Sequence, residues 1–441
     1  MVMAKNSPQI LKGFQDFGPE LMSARLFMLE KIRKAFQTFG FQPMETPALE
    51  SLSLLAGKYG AEERLIYKFK DQGGRSVAMR YDLTVPLARY YSDNKNSLPK
   101  PFKRYAIGPV WRAESPQKGR FREFYQCDVD ILGSTSALAD AEAIASVTSA
   151  LEALGVKDYS IKINNRKIID GLLSLLGISS KKFIPVLRAL DKLEKQGIGV
   201  VRKELSKLEI EKDSIEKLFA YLHVSATDAK GLENSFSGDL AENKLLAEGV
   251  GELSDVLDAL AAMGRRSYTV DLTLARGLDY YTGTVCEISL SKLPEIGSIA
   301  GGGRYDNLIS NITGEKTMVP AVGMSIGIDR LLAALQELHL ISFDLKSDIL
   351  VFNLDQSLTD RYLDIVTRLR GLGIIAEVYY RPDKLEKQFK YAEKKKINYG
   401  IFLGQNEASL RQVKIKNLNT RKQWTMPVDD IATEIEKIFG Q

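Results

Sequence analysis

Alternation of apolar and polar positions is densest over residues 102–133, FKRYAIGPVWRAESPQKGRFREFYQCDVDILG. A period of two predicts β-strands, because successive side chains leave a strand on opposite faces. The pattern gives one strand over 104–114 and a second over 124–132. Between them Ser-Pro-Gln-Lys-Gly-Arg forms a loop that carries two cations. On the second strand Tyr125, Cys127, Val129 and Ile131 share one face, and Phe124, Gln126, Asp128 and Asp130 share the other. On the first strand Arg112 points with Val110 and Glu114. Arginine pairs with phosphate, whereas Asp and Gln hold an ammonium or a ring N–H. A face with both could take a nucleotide at one end and an amino-bearing molecule at the other. A plain solvated face would show the same alternation, so the pattern leaves both readings open.

Other stretches read in chain order. Apolar residues at helical spacing (Leu26, Leu29, Ile32, Phe36) predict a helix over 21–39, ended by Gly40. Pro43 and Pro47 confine the next extended segment to a sheet edge or interface. After a Gly-Gly turn, RYDLTVPL (80–87) alternates and predicts a strand with Arg80, Asp82 and Thr84 on one face. A helix over 137–154 and a strand over 157–165 follow. Residues 168–260 show helical periodicity, charge-rich linkers and no clear strand, and read as an insertion with no identifiable chemistry. The sheet pattern resumes at Tyr268, with a hairpin over 271–288. AGGGRYDN (300–307) reads on its own as a flexible turn; it has neither P-loop nor dinucleotide-fingerprint spacing. AVGMSIGIDRLLAAL (321–335) reads as a small-residue strand running into a helix, with Arg330 in its first turn. There an arginine opposes the helix dipole, so a nearby anion is one reason for its placement. Beyond a linker at 338–346, alternating strands and helices predict a small α/β domain.

Composition narrows the function classes. At 441 residues, 44% hydrophobic and 27% charged, the chain is an ordinary globular protein of about three domains. No apolar run reaches the roughly 20 residues needed to cross a bilayer, and the N-terminus lacks a signal-peptide pattern. A cytoplasmic location is expected, with no membrane and no DNA partner. Only Cys127 and Cys286, and only His223 and His339, are present. They supply neither a disulfide framework nor a metal-ligand set, so no metal-binding side chain is expected. Net charge is +5, and residues 346–441 hold 17 Lys and Arg against 13 Asp and Glu. That is a weak sign of a polyanionic partner there. Lys384, Lys387 and Lys394 fall on one helical face.

In this order the segments resemble class II aminoacyl-tRNA synthetases, and within them the histidyl-tRNA synthetase family. ETPALE is similar to the first class II motif, WRAE…GRFREFYQ to the second and AVGMSIGIDRLL to the third. RGLDYYTGTVCEI and AGGGRYD resemble the two histidine-specific signatures, and RYDLTVP and QCDVDILG support them. The resemblance implies an α/β fold: an α+β catalytic domain on a class II antiparallel sheet, a helical insertion, and a C-terminal α/β anticodon-binding domain. The corresponding expected bounds are 1–167 and 263–337 (catalytic), 168–262 (insertion), 338–346 (linker) and 347–441.

It further implies a homodimer that uses ATP, with Mg2+, to activate L-histidine and load tRNA(His). By position, Arg112 would hold the α-phosphate and Arg276 would be the catalytic cation beside it. Phe124 would stack on adenine, with Glu114 near its amino group. Arg120 and Arg330 would clamp the β/γ end. Asp82, Thr84 and Gln126 would receive the α-ammonium. Asp130 and Tyr281 would bond the imidazole, with Tyr305 closing its pocket. Asp82 and Asp130 stand where many relatives carry glutamate, which shortens their reach by one methylene. A non-catalytic paralogue acting as a regulatory subunit is the competing reading; it predicts a damaged RGLDYY stretch and a missing C-terminal domain, whereas this chain retains the intact stretch and the domain.

Overall fold

The computed structural model describes residues 9–57, 59–117, 119–274, 280–314, 317–341 and 347–439. It divides into two compact units, one of Met1–Phe17 with Ala24–Ser342 and one of Gly18–Ser23 with Phe343–Gln441.

Strands of the first unit, in chain order, are β1 (Gln42–Pro43), β2 (Leu49–Ser51), β3 (Lys68–Lys70), β4 (Ser76–Met79), β5 (Phe102–Trp111), β6 (Glu123–Leu132), β7 (Tyr159–Asn165), β8 (Tyr268–Val270), β9 (Thr284–Leu290), β10 (Ser298–Arg304) and β11 (Ala321–Gly327). Eight form one sheet in the order β1-β5-β6-β11-β10-β9-β7-β8; β2-β4-β3 form a small second one. Pairing in the large sheet is antiparallel except at its two ends, β1 with β5 and β7 with β8. The proline-bearing segment is therefore the edge strand its prolines called for.

The face assignment on β6 holds. Cys127, Val129 and Ile131 are buried with the core, while Gln126, Asp128 and Asp130 line a cavity. Helices Pro19–Thr38, Ala137–Ala153 and Ile328–Glu337 form near their expected bounds. From Arg166 to Ala262 every regular element among the described residues is helical.

Four expectations need correction, among them the hairpin over 271–288: β9 is the one strand that enters that stretch among the described residues, and it pairs with β10 and β7, while β8 ends at Val270 and pairs with β7. In the hairpin over 104–132 the first strand ends at Trp111, so Arg112 and Glu114 lie in the loop beyond it. The stretch 80–87 is not a strand: a helix, Thr84–Asn94, starts inside it. Asp82 Oδ1 accepts from the Thr84 and Val85 backbone N–H groups at 3.1 and 2.9 Å. Pro86 sits in the first turn, where a missing N–H costs nothing. Arg80 consequently points elsewhere, donating to Pro109 and Thr46 carbonyls at 2.8 and 2.5 Å. The last correction is AGGG, which is the middle of β10 and not a turn. A Cβ on Gly302 would lie 2.1 Å from the Gly323 carbonyl, so close strand approach is what these glycines serve.

The second unit has β12 (Ile349–Val351), β13 (Ala376–Val378), β14 (Tyr399–Phe402), β15 (Gln412–Asn417) and β16 (Gln423–Pro427), in the order β13-β12-β14-β15-β16. Helices Thr359–Gly371, Leu385–Lys394 and Ile431–Phe439 accompany them. Its core includes Ile349, Val351, Tyr362, Ile365, Ile401 and Ile435. Strand β16 and the last helix go beyond the sequence reading.

Candidate active site

The cavity floor is built by register. On β11, Gly323, Ser325 and Gly327 stand opposite Asp130, Asp128 and Gln126 of β6. Small residues on one strand leave room above the polar residues of the next. A Cβ at Gly323 would lie 2.1 Å from Asp130 Oδ1. Over this floor lies a cavity of about 460 Å³, joined to one of about 230 Å³ through shared walls at Arg112, Arg120, Gln126, Ser298 and Arg330.

The larger compartment is acidic. Asp82, Asp128 and Asp130 are only 4%, 3% and 2% exposed. Asp130 Oδ2 is ion-paired with Arg104 at 2.6 Å, and its Oδ1 accepts from the Tyr305 hydroxyl. Gln126 donates through Nε2 to Ser325 Oγ at 2.9 Å. Thr84, Tyr280, Tyr281 and Tyr305 complete this end. Apart from Asp130 Oδ2, which is ion-paired, three buried oxygens here have no hydrogen-bond partner: Asp82 Oδ2, Gln126 Oε1 and Asp128 Oδ1. Buried acceptors left unpaired are costly, so this end is prepared for a ligand rich in N–H donors.

The smaller compartment gathers Arg112, Arg120, Arg330, Phe121 and Phe124 beside Glu114, Glu287 and Asp329. Arg112 donates through Nε to the Tyr81 carbonyl at 3.1 Å. Its guanidinium lies 4.3 Å from the Tyr81 ring centroid and 5.2 Å from that of Phe124. Glu114, Arg120, Phe124 and Arg330 line the same space. Arg120 pairs with Glu114 at 3.4 Å, and Arg330 Nη1 donates to the Ser298 carbonyl. Arg276 lies outside the described residues.

A histidyl-tRNA synthetase family model matches residues 13–331, and an anticodon binding domain model matches 348–438. The chain belongs to the histidyl-tRNA synthetase family. It is 42% identical over 421 residues to a histidine–tRNA ligase of Rhodopirellula baltica, covering 94% of each chain. To one of Clostridium tetani it is 40% identical over 431 residues, covering 96% of this chain and 97% of that one. The crystal structure of a histidyl-tRNA synthetase from a Nostoc species superposes with a TM-score of 0.85 at 32% identity, covering 98% and 100%. This synthetase is thus an aminoacyl-tRNA ligase of class II, with mixed α/β architecture and a C-terminal anticodon-binding domain.

Some cavity residues of the synthetase escape a motif-based reading. Arg104 sits opposite Asp130 in the β5–β6 register, and this pairing across strands becomes visible only once the register is known. Asp128 shares the face of Gln126 and Asp130, and that signal was present in the alternation. The helical insertion also contributes: Ile184, Leu187, Arg188 and Asp191 line the larger compartment, although periodicity there showed only amphipathic helices. Burial pushes Asp82 and Asp130 above the usual carboxylate range. Asp128 is pushed up to about 7, first by burial, with Arg104 opposing and Asp130 adding to the rise.

Proposed function

We propose that the joined cavities bind L-histidine and ATP side by side and form histidyl-adenylate. The histidine carboxylate attacks the α-phosphorus, and the bond to the bridging oxygen breaks to release pyrophosphate. The acyl group then passes to a ribose hydroxyl at the 3′ end of tRNA(His), and AMP leaves. The observation that carries this reading is the arrangement of the joined cavities: the buried carboxylates Asp82, Asp128 and Asp130 line only the larger, Phe124 and Glu114 only the smaller, and Arg112 and Arg330 stand in the wall between them.

In this reading Asp82, Thr84 and Gln126 hold the α-ammonium. Asp130 and Tyr281 take the imidazole, and Tyr305 braces Asp130. Arg112 and Arg276 neutralise charge gathering on the α-phosphate, Arg120 and Arg330 hold the β/γ end, and Phe124 and Glu114 receive adenine. The carboxylate is already a nucleophile, so the protein supplies position and fixed charge. An imidazole held at both nitrogens is distinguished from side chains lacking them by up to about four orders of magnitude. Mg2+ would accompany the triphosphate. Among the described residues no group of three or more His, Cys, Asp or Glu side chains could hold a metal ion, so no protein ligand is assigned to it.

The same proposal includes a homodimer. Leu26 and Phe27 are 55% and 41% exposed beside the edge strand β1, around a groove that also includes Met44 and Ile107. No helix among the described residues is long and apolar enough to cross a membrane, which accords with the proposed cytoplasmic location. Residues 1–167 and 263–337 would be the catalytic domain, 168–262 the insertion, 338–346 the linker and 347–441 the tRNA-reading domain. A regulatory paralogue would not need the anticodon domain matched at 348–438. ATP–pyrophosphate exchange across the twenty amino acids tests the activation step. Exchange with histidine alone is expected; exchange with none, or with a different amino acid, would overturn it.

A further inference from the structure

Three buried carboxylates, Asp82, Asp128 and Asp130, enter the acidic end, but they are not equally engaged. Asp130 has both a cation, Arg104, and the Tyr305 hydroxyl. Asp82 spends Oδ1 on the start of a helix and keeps Oδ2 free. Asp128 is 3% exposed, lines the cavity, and its Oδ1 has no hydrogen-bond partner. The strand neighbours across from it are Ala106 on β5 and Ser325 on β11. Both are small; Ser325 accepts the Gln126 amide and turns its own hydroxyl to the Asp128 carboxyl, which leaves Oδ1 as the oxygen still open. Along β6, Asp128 lies midway between Gln126 and Asp130, about 7 Å from each. In the proposed pose these two hold opposite ends of the amino acid, so the molecule passes over Asp128.

Histidine brings two kinds of donor, an ammonium and a ring N–H. Asp82 Oδ2 and Gln126 Oε1 suffice for the first. We infer that Asp128 is a further histidine-specificity residue, whose free Oδ1 accepts the imidazole N–H together with Asp130. This rests on the reading of the cavity as a histidine site. Asp128 faces Arg104, Asp130, Asp82 and Ser325, and burial together with the neighbouring acids raises its carboxyl. Among the described residues one cation, Arg104, is ion-paired within the trio, and it is turned to Asp130 and the Leu83 carbonyl. A donor from the substrate completes what the protein leaves open at Asp128.

The test is exchange kinetics on full-length Asp128→Ala, with Asp128→Asn, which keeps shape and loses the charge, beside it. The histidine KM should rise by about tenfold or more while the ATP KM stays within about twofold, because a polar site discriminates through the group it pairs. A brace for Arg104 alone would lower kcat or thermal stability without that KM split. Asn keeps a carbonyl oxygen that can still accept, so Asp128→Ala, which removes both carboxyl oxygens, is the deciding variant, and Asp128→Asn serves where the Ala variant does not fold. A histidine KM unchanged in folded Asp128→Ala, or in folded Asp128→Asn at a pH where the wild-type carboxyl is ionised, overturns the inference and leaves the histidine reading intact. Absence of histidine-dependent exchange in the wild type would instead remove the reading beneath it.

Discussion

Arg112 is fixed before any substrate arrives, by the Tyr81 carbonyl and by two aromatic faces. A cation so held need not reorganise as charge builds on phosphorus. Arg112→Ala should lower exchange about 100- to 1,000-fold. Arg112 is only partly buried, so the unfolding midpoint should stay close to that of the parent. Rates within a few-fold of wild type would remove Arg112 from the chemistry. Asp128 makes a separate prediction about pH. Its carboxyl rises from the ordinary 3.8 to about 7 in the folded chain, so the native state holds this proton more tightly than the unfolded chain does. The stability it contributes is therefore present below about pH 4 and is lost as pH rises through about 7. A shift of that size corresponds to roughly 4 kcal/mol at most. Urea unfolding of ligand-free wild type should weaken relative to Asp128→Asn between about pH 4 and pH 7, then level off. A constant gap across that range would show that Asp128 does not titrate there.

At the level of elements, the helix Thr84–Asn94 combines capping and binding in one side chain. Asp82 holds the first turn through Oδ1, lines the cavity, and keeps a buried Oδ2 with no hydrogen-bond partner. Asn caps helices about as well as Asp, whereas Ala costs about 1 kcal/mol. Asp82→Asn should thus keep the melting temperature while weakening histidine binding, and Asp82→Ala should lose both. Equal melting losses in the two variants would show that the capping role depends on charge. This helix also shows where alternation misleads. RYDLTVPL satisfies period two over its whole length, yet Asp82, Thr84 and Pro86 are equally a helix-start signature, and local hydrogen bonding decides. The glycines of β10 misled in the opposite direction. Gly301, Gly302 and Gly303 look like a turn until β9 and β11 press on either side, a constraint set by partners distant in the chain. By contrast the polar face of β6 was legible at once. Its alternation is strict, and β5 and β11 flank it on both sides, so the face assignment needed no tertiary information.

For the whole molecule, the separation of chemistry from tRNA reading is the property most open to test. The first unit contains both compartments of the cavity and its own core, in which Tyr81, Val85, Leu132, Tyr305 and Ala321 are buried together. The second unit has a separate core around Ile349, Val351, Tyr362 and Ile401. Its alternation of strand and helix was legible through β15. The short strand β16 was not, because Gln423–Pro427 carries no long apolar run and its place depends on pairing with β15. The motifs that carry the family resemblance lie before residue 336, so the role of the second unit depends on its anticodon-domain match and on its basic balance. Lys387 and Lys394 are exposed on the helix Leu385–Lys394, and such cations supply affinity and salt dependence but not base choice. Removing residues 348–441 should therefore leave histidine-dependent exchange within a few-fold of the full chain. Aminoacylation of tRNA(His) should fall far more, and the remaining activity should depend less steeply on salt. Parallel losses in both assays, from a truncated protein that still melts cooperatively, would mean that the second unit supports adenylate formation itself and does more than hold the tRNA.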